Sequence, residues 1–247
     1  MTKNSEKETK KKLRVCTLEN YSCVCELIDA HDKLEEAYHF LLMMSFSYHK
    51  ADEFRFNLHA FIQSLRGVTF MLQNYKDIIP DFEKWYSKKQ EEMKNDSCLK
   101  SICSTRTIVV HQRSLKPKSK VEIGVYRGRR LKVGLIIHYD NPFLDSKIIF
   151  DNLIPKFSEI GFIDKEHSAI GEQLGIRRQW FCEELGDEEI FWTCYQAYIH
   201  ICDIMREAHE FFELELVPQG IPDDYFEKTY VLLESDLDPS LPEKWGW

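Results

Sequence analysis

What this sequence lacks narrows it first. No apolar run approaches the roughly 18 residues that a membrane-spanning helix needs. The opening MTKNSEKETKKKLR has none of the apolar stretch of a secretory leader. A cytoplasmic protein without membrane contact is therefore expected. Also missing are a Gly-rich phosphate loop, a G-x-S-x-G elbow, an H-E-x-x-H helix and a dinucleotide-binding glycine fingerprint. Most familiar enzyme classes lose support, and no cofactor is expected. The eight cysteines include no C-x-x-C pair and fall partly within helix-like segments, which suits reduced thiols better than a disulfide framework. Cys16, Cys23, Cys25 and His31 gather four soft or borderline donors, but without the paired spacing of zinc modules, and no metal is assigned. No internal repeat is visible.

What is present describes a folded chain. Of its 247 residues 43% are hydrophobic and 13% aromatic, enough apolar surface to offset the entropy of ordering. The length fits one large domain or two small ones. The net charge of −8 hides an uneven distribution. Residues 113–132 hold Arg113, Lys116, Lys118, Lys120, Arg127, Arg129, Arg130 and Lys132 against Glu122 alone, a local excess of seven positive charges. Residues 183–247 carry 17 acidic side chains against Arg206, Lys228 and Lys244. A basic island on an acidic protein is a candidate contact for a phosphate backbone, because local potential steers an anion. The alternative is a solvated hairpin, or a docking surface for the acidic half of the same chain.

Residues 1–14 are polar and read as a disordered tail. From Cys25 to His49, the residues Leu27, Leu34, Tyr38, Leu41, Ser45 and Tyr48 recur at the spacing of one helix face. From Ala51 to Tyr75 the stripe is Phe54, Leu58, Phe61, Leu65, Val68 and Leu72. A third helix follows Pro80 and carries Phe82, Trp85, Tyr86 and Met93. A fourth is capped by Asn95 or Asp96 and runs to about Leu115. Lys116-Pro117-Lys118 then breaks the helix, and VEIGVYRG and RLKVGLIIHYD read as a β-hairpin about Gly128. Within residues 146–186, KIIFDNLIPKF fits either a strand or a helix interrupted by Pro155, and Gly161, Gly171, Gly175 and Gly186 punctuate the rest. A long helix spans Asp187 to Glu215, and an extended tail follows Pro218.

The sharpest local feature is R-T-I-V-V-H, Arg106 to His111, late in the fourth helix. An arginine followed closely by a histidine at the end of a four-helix bundle resembles the motif of the HEPN superfamily. LHAFIQSLRGVTFMLQ and FEKWYSKKQEEM are similar to an uncharacterised bacterial group associated with it. The resemblance covers residues 25–115.

It implies a mainly α fold: an antiparallel HEPN-like bundle over 15–115, with residues 116–247 supplying a hairpin and a C-terminal helical region packed against it. It also implies a metal-independent endoribonuclease, in a toxin, defence or stress role. A homodimer would join two copies of the motif into one site, under a protein regulator. His111 would move the proton of a ribose 2′-hydroxyl, and Arg106 would hold the phosphate. Thr107, Arg113, Lys116, Lys118, Arg127, Arg129 and Arg130 would contact RNA. The five-residue offset turns Arg106 and His111 about 140° apart on a regular helix, so a shared dimer cleft, or a helix that frays before Lys116, would be needed to aim both at one atom. The competing reading is a non-catalytic helical module that binds nucleotide, RNA or a protein partner, with His111 merely favouring the helix dipole.

Overall fold

The computed structural model describes residues 14–17, 19–137, 141, 143–159, 168 and 170–247. Almost all of the expected N-terminal tail lies outside these. The helical stripes become the core. Helix α2 (Ile28–Phe46) and helix α3 (Ala51–Leu72) pack together, preceded by strand β1 (Arg14–Cys16) and the short α1 (Tyr21–Val24). Every member of the Phe54 to Leu72 stripe is at most 1% exposed. Helices α4 (Phe82–Asn95) and α5 (Ser97–His111) follow. The cap of α5 is Asp96, whose carboxylate accepts the Leu99 N–H at 2.7 Å.

The long helix, α7 (Ile190–Glu210), inserts its broad apolar face against α2, α3 and α5. Its N-cap is the buried Glu189, which accepts from the Trp192 N–H at 2.9 Å, the Tyr48 hydroxyl at 2.8 Å and the Tyr230 hydroxyl at 3.0 Å. One carboxylate thus ties α2, α7 and the C-terminal region.

The expected hairpin is half of something larger. Strands β2 (Lys118–Arg127) and β3 (Arg130–Ile137) join at a two-residue turn, with Gly128 at φ 57° where a left-handed backbone is required. Strand β4 (Glu172–Phe181) pairs with β2 along its whole length, and β6 (Val231–Leu233) pairs with β4. The result is a four-stranded antiparallel sheet in the order β3-β2-β4-β6. Residues 138–140, the end of the expected second strand, lie outside the described residues.

KIIFDNLIPKF takes the helical alternative, in helix α6 (Ser146–Glu159), while the glycine-punctuated stretch after it contributes strand β4, which the sequence did not announce. Helix α6 covers one face of the sheet, with Ile149, Phe150 and Phe157 against Val121, Ile123, Leu174 and Ile176. Through Tyr126 and Trp180 the sheet joins the helical core. The Trp180 ring stacks on Phe54 at 5.2 Å and its indole N–H donates to the Tyr48 carbonyl at 2.9 Å. Arg178 is buried, with its guanidinium 3.8 Å above the Trp180 ring and donating to the Leu144 carbonyl at 2.7 Å.

Three glycines lie in register across the sheet, Gly134 beside Gly124 beside Gly175. A Cβ on Gly124 would sit 2.2 Å from the Val133 carbonyl oxygen, and one on Gly175 would sit 2.8 Å from the Tyr126 ring. The tail after Pro218 is not extended as expected. It folds into α8 (Asp223–Tyr230), β6, α9 (Glu234–Leu237) and α10 (Leu241–Trp245). Between α7 and this tail, β5 (Leu214–Leu216) pairs in parallel with β1, Cys16 opposite Leu216. The architecture is mainly helical with a small antiparallel sheet. No helix among the described residues is long and apolar enough to cross a membrane.

Candidate functional site

Helix α5 is held by Leu99, Ile102 and Thr105, which are buried, with the Thr105 hydroxyl donating to the Glu184 carbonyl at 2.8 Å. That orientation places Arg106 half-buried, its guanidinium 5.8 Å from the Phe70 ring of α3. Thr107 and His111 are exposed, and His111 is the last residue of the helix. Among the described residues no hydrogen bond, ion pair or ring contact joins Arg106 to His111. The helix separates them as its pitch requires. An imidazole at a helix C-terminus sits where a positive charge is favoured by the exposed carbonyls.

The basic island divides into two sets. Arg113 pairs with Glu184 at 2.7 Å, Lys118 with Glu183 at 3.0 Å, and Arg129 with Asp236 at 2.8 Å while also donating to the Val231 carbonyl. These three cations dock the acidic half of the chain. Arg113, Lys116 and Lys118 line a cavity of about 390 Å³ together with Glu183, Glu184 and Asp187, so much of its charge cancels internally. Lys116, Lys120, Arg127, Arg130 and Lys132 are exposed and have no ion pair among the described residues. Arg130 also borders a second cavity of about 490 Å³ with Arg129, Arg177 and Glu227.

A third constellation was only half visible in the sequence. Cys16 at the end of β1, Cys25 after α1, His31 in the first turn of α2 and His209 in the last turn of α7 converge, with one donor atom from each within 4.8 Å of the others. Cys16 Sγ lies 3.5 Å from His31 Nδ1, and Cys25 Sγ lies 3.1 Å from His209 Nε2. Cys16, His31 and His209 are fully buried. Burial pushes the Cys25 thiol up to about 12 and the His209 imidazole down to about 4. Cys23, grouped with these residues by sequence proximity, is exposed and stands outside the cluster. Proximity along the chain gave no sign of His209, which is 184 residues from Cys25. The available signal was a histidine set four residues after Met205, within an apolar helical stripe.

A family model described as bacteriophage lambda protein ea47 matches residues 19–225. Protein ea47 of Escherichia phage lambda is 30% identical over 91 residues, which is 36% of this chain and 22% of that protein. The aligned stretch therefore spans about a fifth of that relative's length. No solved structure matches. The expected HEPN membership is overturned by the family match. It takes in the whole of residues 25–115, where the resemblance lay, and continues through β2, β3, β4 and α7. A six-residue arginine-histidine spacing recurs easily by chance on helices. The ribonuclease and toxin roles rested on that resemblance, and the family match carries neither of them to this chain.

Proposed function

The chain belongs to the bacteriophage lambda ea47 family, and from that premise we propose that it is a non-catalytic module that binds the phosphate backbone of a nucleic-acid duplex. The observation that carries this reading is the placement of the five exposed cations that have no ion pair among the described residues. Lys116 and Lys120 lie at one end of β2, and Arg127, Arg130 and Lys132 lie at the other. A ten-residue strand rises about 30 Å, close to the roughly 34 Å of one duplex turn. The two groups would meet the backbone on successive crossings. The aromatic residue within β2 and β3 is Tyr126, which is buried, so the described part of the hairpin presents no aromatic face for unpaired bases. Contacts of this kind position a duplex without reading its sequence.

The test is a titration of fluorescently labelled duplex RNA and DNA of unrelated sequences, beside the matching single strands. Duplex binding that weakens with salt and ignores sequence supports the reading. Equal or tighter binding to the single strands removes it.

A second reading is favoured by the sheet edge. Strand β3 ends the sheet, and its Val133, Leu135 and Ile136 are each about half exposed. An apolar edge strand with free backbone groups accepts a further strand. A second copy of the chain, which carries the same open edge, is the simplest donor.

A further inference from the structure

We infer that Cys16, Cys25, His31 and His209 form a structural zinc site that fastens the N-terminal strand to the helical core. The argument begins with the histidines. His31 Nε2 lies 3.2 Å from a carboxylate oxygen of Glu35, and His209 Nδ1 lies 2.7 Å from the Met205 carbonyl. Both partners accept only, so each of these nitrogens carries the ring proton. The remaining nitrogens, Nδ1 of His31 and Nε2 of His209, therefore present lone pairs, and each faces a cysteine sulfur. Partners of this kind fix the tautomer and aim of metal-bound histidines.

The distances agree with a tetrahedron. Zinc bonds of about 2.3 Å to sulfur and 2.0–2.1 Å to nitrogen give sulfur–nitrogen edges of about 3.5 Å. Of the four such edges in a two-sulfur, two-nitrogen tetrahedron, Cys16–His31 is 3.5 Å and Cys25–His209 is 3.1 Å, and every donor pair lies within 4.8 Å, so a small inward shift closes the shell. Two isolated thiol–imidazole hydrogen bonds would account for the pairs separately, but not for the convergence of all four donors from four different elements. On binding, each thiol gives up its proton to solvent, and the two thiolates balance the charge of Zn²⁺, so the buried centre is neutral overall. Four protein ligands fill the coordination shell and leave no open position for substrate, which marks a structural centre.

The fold shows what the metal would do. Strand β1 has three residues with one buried, and α1 buries none. A two-stranded parallel sheet of this size has little stability of its own. The site joins both segments to α2 and to the end of α7, supplying the fixing that apolar packing does not. This reverses the expectation of no metal drawn from cysteine spacing.

The experiment uses the full chain purified without chelator, with metal content measured by plasma mass spectrometry. About one zinc per chain is expected. Exchange of Co²⁺ for zinc should give the intense visible bands of a tetrahedral site and the near-ultraviolet band of thiolate-to-cobalt charge transfer. Cys25→Ser and His209→Ala should each lose the metal, whereas Cys23→Ser should keep it. The wild-type cobalt spectrum stands even where a variant fails to fold. An octahedral cobalt spectrum, a chain containing less than about a tenth of an equivalent of zinc after growth and refolding with Zn²⁺, or a Cys16–Cys25 disulfide in the purified protein would each overturn the assignment.

Discussion

The sorting of the basic island into paired and unpaired cations has a quantitative signature in salt. Arg113, Lys118 and Arg129 already neutralise Glu184, Glu183 and Asp236, so their recruitment to phosphate would release no net counterion. Lys116, Lys120, Arg127, Arg130 and Lys132 remain. Each phosphate neutralised on duplex DNA contributes about −0.9 to the slope of log K against log salt. Five contacts give a slope of about −4.5, and eight would give about −7. Between roughly 50 and 200 mM salt these slopes correspond to roughly 500-fold and 20,000-fold losses of affinity, far enough apart to distinguish. Fluorescence anisotropy with a labelled duplex across that range measures the slope directly. Lys120→Ala or Arg130→Ala should reduce its magnitude by about 0.9, whereas Arg113→Ala or Lys118→Ala should leave it unchanged. A slope near −7, or an equal effect from the paired and unpaired substitutions, would refute the assignment of which charges are free.

Other expectations concern stability, association and chemistry. Glu189→Ala removes a helix cap and leaves the buried Tyr48 and Tyr230 hydroxyls without their acceptor, a cost of about 3–5 kcal/mol by denaturant unfolding. Glu189→Gln keeps an acceptor and should lose about half as much or less. Burial raises the Glu189 carboxyl above its ordinary 4.5, so its favourable linkage is complete below that value and is lost as pH rises through the raised pKa. The gap between wild type and Glu189→Gln should therefore narrow from pH 4 upward, and a widening gap in the same unfolding series would contradict this. Gly124→Ala should cost about 1–3 kcal/mol, because its Cβ meets the Val133 carbonyl; a neutral result in thermal melts would mean that the strands separate there freely. If β3 recruits a second copy, sedimentation equilibrium should show a dimer that Leu135→Lys returns to monomer, and a wild-type monomer at high concentration would remove that reading. RNA incubated with the chelator-free protein in buffer without added divalent metal should be recovered intact; cleavage lost in both Arg106→Ala and His111→Ala would restore a catalytic role for the pair.

The helical half was legible because its forces are local. The stripe from Phe54 to Leu72 follows helix pitch, and Asp96 caps α5 with its own side chain. Gly128 likewise announces a turn that demands positive φ. Strand β4 was hidden because EQLGIRRQWF carries Arg178 on an inward-facing position, where a charge interrupts the apolar alternation expected of a buried strand. The Trp180 ring two residues along the same strand, with the Leu144 carbonyl and the Ser119 and Ser146 hydroxyls brought from elsewhere in the chain, makes that burial tolerable. The metal ligands were hidden for a related reason. Three of the four were noticed among the first 31 residues, but the set is completed by His209, and no spacing rule spans that separation. The arginine-histidine motif failed in the opposite direction, being local and visible while saying nothing about which faces of α5 the fold leaves open.

The row of glycines across β3, β2 and β4 gives the sheet a crease. On that line the three strands carry no side chains, so neighbouring backbones approach closely and the sheet is free to curl there. Arg127, Arg130 and Lys132 all lie on the turn side of the line, while Lys116 and Lys120 lie on the other. The angle between the two charged groups follows this line of missing atoms, and adding a single methyl group at Gly124 would re-aim one group against the other.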